Sequence, residues 1–301
     1  MYKLDMVFFH PAFPASSPRR ALIASGLSHC AALVHRYDRE RFVTALFAPP
    51  ARREALMVLY AFNVEVARIR ESVHEPLAGA IRRQWWREVI TGERPEDEIL
   101  RHPIARPLRQ LLGEGTVAQA PLVVLLDGRE EDFSAEPYPD MESLEAYVAA
   151  TSASLSEAAF SMLGGHGESG LATARAVGTG YGLVGLLRAM PFHGAMGRFT
   201  VPVDCLERAA IPVASYLNGR APRDRLAMAV KDVAMRAEAH LAQARTTRPQ
   251  PETRAVTLAA TLASGHLRRL KRCRWDVFDP VIARPATRPV MLAINALLNR
   301  F

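Results

Sequence analysis

The sequence predicts an all-α fold. Apolar residues recur at three- and four-residue steps from about Arg19 onward, whereas runs of β-branched residues with period-two alternation are nearly absent. With 49% hydrophobic and 23% charged residues among 301, the chain has the composition of a globular protein that can bury a sizeable core.

Arg52 to His74 carries the clearest periodicity, with Leu59, Phe62, Val66, Ile69 and Val73 on one stripe, Pro49 and Pro50 ahead of it and Pro76 behind. A helix over Leu77 to Thr91 follows and stops before Gly92 and Pro95. The pattern then predicts helices over Pro103 to Leu112, Ala118 to Glu131, Met141 to Leu163 and Ser169 to Met190, with Gly164, Gly165 and Gly167 forming a loop. From Pro191 through Pro202 and Pro212 the pattern is irregular, and helices resume over Arg223 to Arg245, Arg254 to Lys271 and Ala286 to Leu298. Thr246 to Glu252 has linker composition but is too short to separate domains. The expected organisation is an irregular leader over residues 1–18, rich in Pro11, Pro14 and Pro18, and one helical domain over 19–301.

Charge is unevenly spread. The chain totals +7, of which residues 188–301 contribute +11 and residues 1–187 contribute −4. All but three of the basic residues are arginine, the exceptions being Lys3, Lys231 and Lys271, a bias expected of a GC-rich genome. A basic C-terminal part suits a polyanionic partner such as an anionic membrane, a diphosphate or an acidic protein, against the simpler reading of a solvated arginine surface. Cys30, Cys205 and Cys273 are too few and scattered for a disulfide framework or metal knuckle, and a reducing compartment is expected. The longest uncharged windows, Ala21 to His35 and Ala255 to Leu267, fall short of the ~18 apolar residues a span needs. The first twenty residues fit neither a secretory signal nor a transit peptide.

Five constellations carry possible chemistry. Asn63, Ala67 and Glu71, spaced by four, share a helix face that either lines a polar cavity or meets solvent. In the solvent reading, Glu65, Arg68, Glu71 and Glu75 form intrahelical pairs worth roughly 0.2–0.5 kcal/mol each. Gly178, Gly182 and Gly185 allow a close helix approach or leave room for a ligand tail. Arg188, His193 and Arg198 cluster about Pro191 and a glycine turn, a weak anion-binding signal. Trp85 and Trp86 are adjacent on a helix and cannot share one face, so one enters the core and the other faces a groove or partner. Arg268, Arg269, Lys271, Arg272 and Arg274 form a candidate membrane or partner surface. Serine elbows, P-loops, dinucleotide fingerprints and nucleic-acid modules are absent.

Leu59 to Glu71, Trp86-Arg87, Tyr147 to Leu155, Gly178 to Arg188 and Gly197 to Asp204 together resemble the squalene/phytoene synthase family, from about residue 30 onward. The resemblance implies one isoprenoid-synthase-type helical domain. It also implies two aspartate-rich motifs whose carboxylates hold Mg²⁺ against a prenyl diphosphate, because carboxylates stabilise a departing polyanion only through bound metal. Here the matching positions are degenerate. The first motif offers Ala67, Arg68 and Glu71, and the second offers Ala189 and His193 with Pro191 between them, so an unbroken ligand-bearing turn is not expected there. No catalytic residue, no metal ligand and no cofactor are expected, with Mg²⁺ implied only if the chain is an active transferase.

Tyr60 to Ala67, Arg70 to Val73, Gln84 to Trp86, Leu187 to Gly194 and Trp275 to Pro280 look like the divergent subgroup of mitochondrial complex I assembly factor 6. That subgroup implies a non-catalytic pseudoenzyme assisting assembly of respiratory complex I, with a complex I subunit or assembly intermediate as partner. Its place would be peripheral at the membrane, on the cytoplasmic face of the inner membrane in a bacterium or the matrix side in a mitochondrion. A prenyl or lipid-like ligand would meet Asn63, Glu71, Arg188 and Arg198. One alternative is an active prenyl-diphosphate transferase in which Arg68, Arg70 and Arg188 replace metal. Another is a ligand-free scaffold with its cavity filled by Phe62, Met190 and Phe192.

Overall fold

Ser28 and Asp38 start the first two helices by the same device, a side-chain oxygen accepting a backbone N–H three residues on, from Ala31 at 3.0 Å and Arg41 at 3.1 Å. These helices are α1 (His29–Tyr37) and α2 (Arg39–Ala45). Proline at the first turn opens α3 (Pro50–Ala67) and α5 (Pro76–Thr91), where its missing N–H costs nothing. Between them lies the short turn α4 (Ile69–Ser72). Next come α6 (Glu96–Leu100), α7 (Ala105–Gly113) and α8 (Gln119–Gly128), the last continued by a 3₁₀ turn over Arg129–Phe133. The computed structural model describes residues 27–73, 75–134, 136–284 and 288–301. The leader expected over residues 1–18 lies outside them.

Met141 to Met162 forms one rod with a defect: α9 (Met141–Val148), a π-helical turn over Ala149–Ala153, and α10 (Ser154–Met162). The central element is α11 (Glu168–Ala195). After it come α12 (Val203–Arg208), α13 (Val213–Leu217), α14 (Arg223–Ala244), α15 (Arg254–Thr257), α16 (Ala259–Arg272) and α17 (Pro289–Leu297). No strand occurs among the described residues, and none of their helices is long and apolar enough to cross a membrane.

Glycine lets α11 sit at the centre. A Cβ on Gly178 would stand 2.7 Å from the Ala153 Cα, one on Gly182 2.5 Å from the Val148 side chain, and one on Gly180 2.7 Å from Leu241. The first fixes α11 against the π-turn, the second against the end of α9 and the third against α14. Gly185 departs from this pattern: a Cβ there meets nothing within 4 Å. The helix therefore borders open space at Gly185.

Two large apolar clusters share α11. One gathers Leu56, Leu59, Phe62, Trp86, Leu108, Leu122 and Leu155, and the other gathers Val148, Leu183, Leu187, Val230, Ala237 and Leu267. A small third cluster, Leu258, Leu262, Leu292 and Ala296, seats α17.

Three expectations fail. The helix through residue 190 continues past Pro191 to Ala195, although proline removes one donor, because Leu187 and Met190 bury on the core side of that turn. The helix expected over Arg52 to His74 breaks at Arg68, whose backbone (φ −96°, ψ 5°) leaves the helical region. Two short helices, α12 and α13, lie in the stretch read as irregular.

Candidate functional site

Two buried carboxylates organise the interior around α11, and neither belongs to a sequence-predicted motif. Glu40, on α2, is 5% exposed. Its Oε1 accepts from His266 Nε2 on α16 at 2.6 Å, and its Oε2 accepts from Arg188 Nη1 at 3.0 Å and from the Tyr181 hydroxyl at 3.1 Å. Burial pushes the Glu40 carboxyl up, but the His266 hydrogen bond and the Arg188 charge outweigh it and hold the group down at about 2. Burial, and after it the Arg188 charge, lowers the His266 imidazole, so the neutral ring donates through Nε2 and its Nδ1 is left buried without a partner. Beside this group Arg41 pairs with Asp38 at 2.7 Å and lies over the Tyr181 ring at 4.8 Å.

Asp132 forms the second centre, in the 3₁₀ turn after α8. The Tyr147 hydroxyl donates to it at 2.6 Å, Arg198 Nη2 lies at 2.9 Å and Arg129 Nη1 at 3.4 Å. Arg198 also lies over the Tyr147 ring at 4.9 Å and donates to the Tyr138 hydroxyl at 3.5 Å. His193 adjoins this group. Burial, reinforced by the Arg198 charge, lowers its imidazole to about 4, so the ring is neutral, and its Nδ1 has no partner. Each centre thus spends a carboxylate on arginine.

The sequence-predicted residues fall into separate places. Arg188 joins the Glu40 centre, and Arg198 and His193 join the Asp132 centre. Asn63 is buried on α3, and Ala67 ends that helix. Glu71 does not share their face: after the break at Arg68 it is exposed and pairs with Arg68 Nε at 2.8 Å. Arg68 itself stacks on Tyr37 at 3.8 Å and borders a surface groove with Glu65, Arg82, Trp85 and His102. The solvent-facing reading of Arg68 and Glu71 therefore holds, while Asn63 is interior. Arg70 lies over the Phe133 ring at 5.5 Å. Ala189 is half-buried on α11.

Trp86 is buried against Phe62, and Trp85 is half-buried against His102, as two adjacent tryptophans require. Phe62 and Met190 pack into the two cores, while Phe192 is exposed and fills no cavity. The basic cluster also divides. Arg268, Lys271, Arg272 and Arg274 are exposed, but Arg269 donates to the carbonyls of Val281 and Arg284 and tethers that loop.

A magnesium cluster does not fit these residues. Ala67 and Ala189 offer no ligand, Glu71 is held at the surface by Arg68, and Glu40 and Asp132 are each bound to arginine. Among the described residues no three His, Cys, Asp or Glu side chains are placed to share a metal ion. Sequence reasoning missed Glu40, Asp132, Tyr181 and His266. Glu40 and Asp132 sit in the charged runs Asp38-Arg39-Glu40-Arg41 and Glu130-Glu131-Asp132, where nothing in the local sequence sets either acid apart from its charged neighbours.

The sequence profile described as squalene/phytoene synthase matches residues 34–290. A Bos taurus protein named NADH dehydrogenase (ubiquinone) complex I, assembly factor 6, is 28% identical over 297 residues, covering 96% of this chain and 89% of the bovine one. The Homo sapiens protein of that name is 26% identical, covering 94% and 87%. Among solved structures, a dehydrosqualene synthase in complex with ligand aligns with a TM-score of 0.74 at 16% identity, covering 93% of this chain and 98% of that one. Squalene synthase HpnC from Alicyclobacillus acidocaldarius aligns at 0.69 and 19% identity, covering 82% and 93%. The fold is thus the all-α isoprenoid-synthase type.

Proposed function

The chain belongs to the squalene/phytoene synthase family, and we propose that within it this protein is a non-catalytic factor assisting assembly of respiratory complex I. One observation carries the loss of catalysis: the carboxylates that a metal-dependent ionisation needs are missing or already engaged. Ala67 and Ala189 stand at two motif positions, Glu71 pairs outward with Arg68, and the two interior carboxylates serve Arg188 and Arg198. A metal-free transferase would need free cations inside, but Arg68 faces the surface groove and Arg188 is neutralised by Glu40. The assembly role is supported by the names of the relatives, which cover nearly the whole chain. Its partner is a complex I subunit or assembly intermediate, met at the membrane that carries the complex, on the cytoplasmic or the mitochondrial matrix side.

Deleting the gene in its host tests this reading. Membranes should lose NADH:ubiquinone oxidoreductase activity, and both the wild-type gene and the Glu71→Ala variant should restore it. Purified protein given farnesyl or geranylgeranyl diphosphate with Mg²⁺ should release no pyrophosphate. Turnover that disappears in Glu71→Ala, or unchanged oxidoreductase activity on deletion, would overturn the proposal.

A further inference from the structure

We infer that α17 and the arginines beside its start form a docking surface for an anionic lipid bilayer. The helix has two apolar faces. Leu292 and Ala296 bury one against Leu258 and Leu262, and Asn295 donates to Thr261 Oγ1 at 2.9 Å. The other face, Val290, Ile294, Leu297 and Leu298, points outward, with Leu297 84% and Val290 72% exposed. Spacings of four and three place Val290, Ile294 and Leu297 on one ridge, and Leu298, four residues past Ile294 at the helix end, flanks it. None of the described residues covers this ridge, and a contiguous exposed apolar patch marks a contact site.

The arginines supply the second half. Thr261, Gly265, Arg268 and Arg272 follow one another at four, three and four residues along α16, so they share the face on which α17 lies. Arg288, the residue before α17, crosses Gly265 so closely that a Cβ there would stand 2.9 Å from its Nε. Arg268 and Arg272 are exposed on the next turns. Besides burial, the charges acting on Arg288 come from Arg268, Arg269 and Arg272, with no carboxylate among them. Residues 280–301 contain no Asp or Glu. An aliphatic ridge next to guanidinium groups that have no carboxylate partner among the described residues matches the interface of a bilayer, acyl chains under phosphate headgroups.

A protein partner fits less well. The ridge is purely aliphatic, whereas tight protein interfaces rest on aromatic and arginine anchors seated in pockets. Fluid acyl chains need no such complement. The inference places the assembly factor on its membrane and so rests in part on that reading, yet vesicle binding is measured without complex I, so either can fail alone.

The test is co-sedimentation of the purified full chain with vesicles of phosphatidylcholine alone or with phosphatidylglycerol added. Wild-type protein should sediment with the anionic vesicles and remain in solution with the neutral ones, and raised salt should release it. The Ile294→Asp/Leu297→Asp variant should lose about tenfold or more in binding, and Arg268→Glu/Arg272→Glu should lose the preference for anionic vesicles. All four side chains are solvent-facing, so an unchanged thermal melt confirms folding. Absence of sedimentation with anionic vesicles, or ridge and arginine variants that bind like wild type, overturns the inference. So does a wild-type dimer in size-exclusion chromatography that Leu297→Asp converts to monomer, because a second copy would then own the ridge.

Discussion

Glu40→Gln removes one charge from the interior and keeps the shape of the side chain, which makes it the most informative single change in this fold. The magnitude follows from the carboxyl's position. It is held at about 2 instead of 4.5, and at 1.36 kcal/mol per unit the folded environment favours the ionised form by about 3 kcal/mol. Glu40 is 5% exposed, so solvent screening takes little away. Breaking one side of a buried pair typically costs about 3–5 kcal/mol, in agreement. At roughly 2–4 °C per kcal/mol for chains of this size or somewhat smaller, the variant should melt about 6–12 °C below wild type at pH 7. Calorimetry measures the shift, and a cycle with Arg188→Gln measures coupling, expected at about 1–3 kcal/mol because the groups meet at 3.0 Å. The pH dependence has a definite sign. A carboxyl lowered by folding stabilises above its unfolded value and loses that stabilisation as pH falls through the folded one, so the gap between variant and wild type should narrow from about pH 4.5 toward 2. Additive single effects, or a Glu40→Gln melt within about 1 °C of wild type, would refute the coupling that these distances imply.

Two glycines on one helix should respond oppositely to alanine. Gly178→Ala drives a Cβ to 2.7 Å from the Ala153 backbone and should destabilise by about 1–3 kcal/mol, whereas Gly185→Ala meets nothing and should stabilise by up to about 1 kcal/mol, both read from denaturant unfolding. His193 is neutral in the fold, with its imidazole lowered to about 4, so the unfolded chain binds the extra proton between pH 6.5 and 4. His193 should therefore contribute a fall in stability of up to about 1.4 kcal/mol per pH unit across that window, and His193→Gln should remove that part of the slope in a melt-versus-pH series. In thermal-shift measurements farnesol should raise the melting temperature at least as much as farnesyl diphosphate, because Arg188 and Arg198 already have carboxylate partners; a markedly larger shift with the diphosphate contradicts this.

The local code was legible where packing and local preference agree. Stripe residues such as Leu59, Phe62 and Val66 are buried as their spacing demands, and helix limits at Gly92 and Arg223 fall where glycine and proline place them. Pro191 misled because the rule it obeys is local, whereas the helix past it is held by tertiary burial of Leu187 and Met190. Arg68 misled in the other direction: nothing in an uninterrupted helical pattern announces the break that sends Glu71 outward. The charged centres were the least legible part. Glu40 meets Arg188 148 residues later and His266 226 residues later, and nothing local to any of the three names the other two. Such contacts exist only in three dimensions.

The two centres also account for how this fold holds two arginines in its interior. A central helix carrying Arg188, with Arg198 just past its end, would leave two cations in a low-dielectric interior, each costing several kcal/mol unless paired. In this chain the pairing is internal and geometrically specific: Glu40 from α2 and Asp132 from the 3₁₀ turn close on those arginines from opposite stretches of sequence. An arriving diphosphate would have to break a bond already made, and each broken pair strands a carboxylate with 5% or less of its surface exposed. The arginines that looked like an anion site by sequence thus become cross-links between distant segments. Positive charge with no carboxylate partner among the described residues lies instead at Arg268, Arg272 and Arg288, beside the apolar ridge of α17.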